Sequence, residues 1–103
     1  MRGLTVVVTN ADRERFEAAL TLACAQAALG GRVRVYCHDT AVRLLTDASA
    51  LRRTACEMGV TLIACQSGLA AAELAFEALG ADVEAGGMVG LLADLGDDRL
   101  VTL

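Results

Sequence analysis

Two kinds of stretch alternate along this chain. Short runs rich in branched aliphatic residues occur at 4–9 (Leu-Thr-Val-Val-Val-Thr), 32–37 (Arg-Val-Arg-Val-Tyr-Cys) and 60–64 (Val-Thr-Leu-Ile-Ala), with weaker ones at 82–85 and 99–103. Runs of this length and content predict strands. The stretches between them carry apolar residues three or four apart, the helical period. Phe16, Leu20, Ala23 or Cys24, and Ala27 form one such stripe, with Asn10 as its expected cap, Asp12 and Glu14 in its first turn, and Gly30-Gly31 as its stop. A short helix through Val42, Leu44 and Leu45, capped by Asp39 or Thr40, is expected next, then a turn at 47–49 and a helix over 51–58 closed by Gly59. After the 60–64 strand the pattern predicts a helix over about 69–79 ended by Gly80, a short helix over 91–95, and a turn at 96–98 before the last strand.

Strands alternating with helices predict an α/β protein with a parallel or mostly parallel five-stranded sheet, helices on both faces, in one domain over 1–103. The 60–64 run reads as a central strand. Arg32 and Arg34 alternate with Val33 and Val35, which predicts a less buried face and an edge position for the second strand.

The residues 59–70, Gly-Val-Thr-Leu-Ile-Ala-Cys-Gln-Ser-Gly-Leu-Ala, hold the candidate chemistry. Cys65 ends a buried strand, Ser67 is placed to cap a helix, Gly68 allows close backbone approach, and the 69–74 run is strongly helix-forming. A thiol at that point meets free backbone N–H groups and the positive end of a helix dipole, and both favour the thiolate. Ligands of open α/β sheets also bind at the carboxyl ends of strands. Cys65 is therefore the expected working residue. Cys24, Cys37 and Cys56 read as small buried hydrophobes.

Composition narrows the field. A net charge of −4, with the basic residues scattered, argues against nucleic acid and anionic membranes as partners, and no apolar run is long enough to span a bilayer. The first residues pass directly into a strand, without the pattern of a signal peptide, so a cytoplasmic protein with reduced thiols is expected. There is no C-x-x-C pair and only one histidine, so no metal site is signalled. Gly86-Gly87-Met88-Val89-Gly90 is neither a dinucleotide fingerprint nor a phosphate loop, and the chain has no lysine. His38 reads as a surface or interface histidine. A 2-1-3 strand order would hold its strand roughly 10 Å from that of Cys65.

With these residues in place, the chain resembles the small DsrE/DsrF-like sulfur-relay proteins, including the branch sometimes labelled a peroxiredoxin family. The resemblance rests on 59–68, on Asp-Val-Glu-Ala-Gly-Gly-Met-Val-Gly-Leu-Leu at 82–92, and on the first two strands, and so covers nearly the whole chain. It implies a flavodoxin-like α/β/α fold, assembly into homo-oligomers such as trimers or hexamers, and a persulfide on the cysteine after the third strand. By position that cysteine is Cys65. The implied function is acceptance of sulfane sulfur from a protein donor and its delivery to a protein acceptor, with no cofactor or metal. Peroxidase chemistry is not expected, because Thr61 stands four residues before Cys65 and the T-x-x-C spacing fails. Two other readings compete: a non-enzymatic oligomeric binding or regulatory module, and a small-molecule or flavin binder. The low aromatic content of 3% counts against the second.

Overall fold

The backbone groups of five short apolar runs are satisfied by pairing with one another in a single sheet. The structure, a computed structural model, describes residues 1–103. The strands are β1 (Leu4–Val8), β2 (Val33–Cys37), β3 (Thr61–Cys65), β4 (Val83–Gly86) and β5 (Arg99–Thr102). Their order is β4-β3-β2-β1-β5, and every neighbouring pair is parallel. Between them run α1 (Arg13–Ala28), α2 (Ala50–Glu57), α3 (Gln66–Ala72) and α4 (Met88–Ala93), with 3-10 segments at Asp39–Thr46 and Phe76–Leu79.

The order dictates the layers. The steps from β1 to β2, β2 to β3 and β3 to β4 each move one place in the same direction. Right-handed crossovers then set α1, α2 and α3 on one face. The return from β4 to β5 crosses the whole sheet the other way and sets α4 on the opposite face. The expected α/β/α parallel sheet is present. Val6, Val35 and Leu62 are successive register partners and fully buried, as are Phe16 and Leu20 of α1. They alternate along the strands with Thr5, Arg34 and Thr61, themselves register partners, which face α4. Arg34 confirms that side by donating from Nη2 to the Leu91 carbonyl of α4 at 3.3 Å.

Four expectations are corrected. The strand order is not 2-1-3, because successive crossovers all step the same way; β2 is an interior strand and β3 its neighbour. Arg34 is buried, not on a solvated face. It donates to Thr5 Oγ1 at 2.9 Å, lies 3.8 Å from Asp98 and 3.5 Å from Asp94, and so is charge-paired where the alternation suggested water. The helix expected over 69–79 ends at Ala72. Glu73 takes a left-handed φ of 55° and the Leu74 N–H closes back onto the Leu69 carbonyl, a helix stop made without glycine. Cys56 is exposed on α2 and not packed in the core. In addition, the first helix is capped by Asp12, whose carboxylate accepts the Arg15 N–H, while Asn10 accepts from Asp12.

One buried cation locks the loops beside the site. Arg52 of α2 donates to the carbonyls of Leu45, Asp47 and Leu79 and pairs through Nε and Nη2 with both oxygens of Asp82, at 3.0 and 2.9 Å. This ties the far end of the Asp39–Thr46 segment to the approach of β4. The Arg52 guanidinium holds the Asp82 carboxyl below its ordinary value, against the opposing effect of partial burial. The α4 side of the sheet is thinly covered. Val89 and Leu92 of α4 and Leu100 of β5 are exposed.

Candidate functional site

Cys65 is the last residue of β3 and also the cap of α3. Its backbone is extended (φ −63°, ψ 117°), and its own sulfur accepts the Gly68 N–H at 3.4 Å. The expected cap, Ser67, is instead the second residue of the helix, and its hydroxyl reaches Cys65 Sγ at 3.2 Å. The short polar segment after the strand thus surrounds the sulfur with donors.

Beyond these two bonded groups, the Tyr36 phenol and the Asp39 backbone, from β2 and its end, also favour the Cys65 anion. Tyr36 is the register partner of Ile63, two residues before Cys65, so the pleat sends it to the same face. Burial opposes ionisation of Cys65, but the donors from Ser67, Tyr36, Asp39 and Gly68 outweigh it and hold the thiol at about 6, against an ordinary 9.0. The same contact works in reverse on Tyr36, whose phenol is pushed well above its ordinary range, first by burial and then by bonding to Cys65. Sequence reasoning missed Tyr36 and Asp39. The available signal was the polar and aromatic alternation Arg34, Tyr36, His38, which marks one face of a strand.

The residue is only 3% exposed. The thiolate is therefore acidic and recessed together. A cleft of about 350 Å³ opens nearby, between the sheet and α4, lined by Arg34, Thr61, Ile63, Glu84 and Asp94. It includes Gly86, the register partner of Cys65, but not Cys65 itself.

His38 is half-buried. With β2 next to β3, it lies one step beyond the Cys37–Ala64 pair, level with Cys65. Its ring stacks on Tyr36 at 6.3 Å between centroids, and its buried Nδ1 has no hydrogen-bond partner. No hydrogen bond joins it to the sulfur, and the site brings no general base to Cys65. Cys37 is fully buried and burial pushes its thiol up to about 12. Cys24 is half-buried against the core. All four cysteines are free. His, Cys, Asp and Glu side chains nowhere gather in threes that could hold a metal ion.

Comparison with solved structures places the fold. The chain superimposes on MTH1491 from Methanobacterium thermoautotrophicum, described as a protein of unknown function, with a TM-score of 0.85, 16% identity and full coverage of both chains. The ychN protein from E. coli matches with a TM-score of 0.81, 19% identity and full coverage of both. BT1422 from Bacteroides thetaiotaomicron, also of unknown function, matches with a TM-score of 0.72 and 15% identity over 96% of this chain and 93% of its own. No family model and no curated protein matches the chain. The likeness establishes the fold, which this chain shares with all three. No helix is long and apolar enough to cross a membrane.

Proposed function

We propose that the chain is a cytoplasmic sulfur-relay protein of the DsrE/DsrF-like kind, with Cys65 as its persulfide carrier. The observation that carries this reading is a thiol at a strand end, hydrogen-bonded by the Ser67 hydroxyl and the Gly68 N–H and acidic enough to be mostly thiolate at neutral pH. The Cys65 thiolate attacks the outer sulfur of a donor persulfide, R–S–SH. A new S–S bond forms to Cys65, the donor's own S–S bond breaks, and its electron pair leaves on the donor as a thiolate. The proton stays on the transferred sulfur. An acceptor thiolate then attacks that outer sulfur and releases the Cys65 thiolate. The exchange needs no net oxidant and no second cysteine in the chain. The donors that favour the thiolate also favour it as the leaving group in the second step.

Donor and acceptor are protein thiols in this reading, and the chain works as a homo-oligomer, a trimer or hexamer. The exposed Val89, Leu92 and Leu100 on the thinly covered face support self-association. The decisive experiment is intact-mass analysis after incubation with a persulfide donor, comparing the native protein with Cys65→Ser. Reductant-removable added sulfur on the native protein alone is expected. Equal loading of both proteins would move the carrier to Cys24, Cys37 or Cys56, and loading of neither would end the relay reading.

One observation favours a second reading. Cys65 is recessed, which suits an oligomeric binding or regulatory module in which the sulfur only lines an interface. Such a module keeps its assembly and binding when Cys65 becomes serine.

A further inference from the structure

We propose that Gly68 and Asp39 are positioning residues for Cys65, which let the end of β2 and the start of α3 close on the sulfur from two sides. These roles presuppose the Cys65 nucleophile proposed above and explain what keeps it an anion. At Gly68 the backbone is not in a conformation reserved for glycine; the requirement is space. A Cβ there would lie 2.5 Å from the Asp39 carbonyl oxygen, 3.0 Å from its Cα and 3.1 Å from its carbonyl carbon. These are backbone atoms, which cannot swing aside as the end of a side chain can.

Asp39 supplies the other half. It is one of two non-glycine residues with positive φ, at 51°. Aspartate tolerates this left-handed region better than most residues, whereas a β-branched residue does not. The reversal begins the 3-10 segment Asp39–Thr46, which packs against α3, and the Arg52 bond to the Leu45 carbonyl secures its far end. The Gly68 N–H that donates to the sulfur and the Asp39 backbone that also favours its anion therefore stand on opposite sides of one glycine-dependent contact. The titratable and charged groups on the elements around that contact are Tyr36 and Cys37 on β2, His38 and Asp39 after it, Arg43 in the 3-10 segment and Glu84 on β4, while α3 carries none between its caps, Cys65 and Glu73.

The test is the pH profile of Cys65 alkylation by iodoacetamide, resolved by peptide mass. It is run on the native protein, Gly68→Ala, Asp39→Gly and Asp39→Val, each with its fold checked by circular dichroism. Gly68→Ala and Asp39→Val are expected to raise the midpoint by about one unit, which slows alkylation below the midpoint about tenfold. Asp39→Gly, which accepts the same backbone, keeps the native midpoint. A folded Gly68→Ala with the native midpoint would overturn the proposal, as would identical profiles for Asp39→Val and Asp39→Gly. If Gly68→Ala does not fold, the Asp39 pair decides alone. No sulfur donor enters this assay, so it stands or falls separately from persulfide loading.

Discussion

Cys37 and Cys65 end neighbouring strands, both are buried, and they are opposite in acid strength. Cys37 faces apolar core, and burial, only partly offset by the Arg52 charge, pushes its thiol up to about 12. Cys65 meets burial as well, yet the polar groups around it, Ser67, Tyr36, Asp39 and Gly68, bring it to about 6. The difference is one of hydrogen-bond supply. A thiol at the end of β3 reaches past the sheet to the first turn of α3 and to the turn after β2. The Cys37 thiol, inside the α1–α3 layer, has no hydrogen-bond donor to offset its burial. Burial silences a cysteine unless the backbone is arranged to pay its solvation.

The largest expected effect lies in that contrast itself. At pH 7 Cys65 is mostly thiolate and Cys37 stays a thiol, so a small alkylating agent labels Cys65 and leaves Cys37 untouched in the folded protein. Comparable labelling of both, in protein shown to be folded, would break the comparison. Next comes the Arg52 clamp. Arg52→Met leaves the Leu45, Asp47 and Leu79 carbonyls without their donor and Asp82 without its partner, an expected loss of about 3 kcal/mol in urea unfolding.

Removing single donors from the sulfur sharpens the comparison on a smaller scale. Tyr36→Phe and Ser67→Ala should each raise the Cys65 midpoint by about one unit, since one unit corresponds to about 1.4 kcal/mol and a bond to a charged group is worth that order. Neither change should move Cys37. A further effect is on stability against pH. Cys65 has a folded value near 6 and an ordinary value of 9.0, so between these the unfolded chain binds more protons. Stability contributed by the thiolate is therefore fully present above about pH 9 and is lost as pH falls through 6. Cys65→Ser should flatten that part of the profile, as read from thermal midpoints across pH 5 to 9; an unchanged slope would mean that the donors do not favour the anion.

Much of this was legible in the chain. Five apolar runs placed the strands, and the glycines at 30, 31 and 59 placed the ends of the first two α-helices. Strand order was not legible, because it depends on the direction in which each crossover steps, and no local pattern records that. Arg34 was misread for a related reason: an arginine alternating with valines looks solvated until Asp98, far along the chain, supplies its counter-charge. Tyr36 and Asp39 were hidden because their role exists only once β2 lies beside β3. Glu73 concealed the end of α3, since a left-handed stop without glycine carries no signature. The chain thus pointed to Cys65 and to the local contacts of its sulfur with Ser67 and Gly68, whereas the approach of Tyr36 and Asp39 is long-range.

The most direct test of the account is the pH dependence of Cys65 modification in the native protein, followed site by site with a small alkylating agent. A midpoint near 6, with Cys37 unreactive across the same range, is the result predicted from the polar groups around the sulfur. A midpoint at or above the ordinary 9.0 would contradict it, because burial would then govern Cys65 as it governs Cys37.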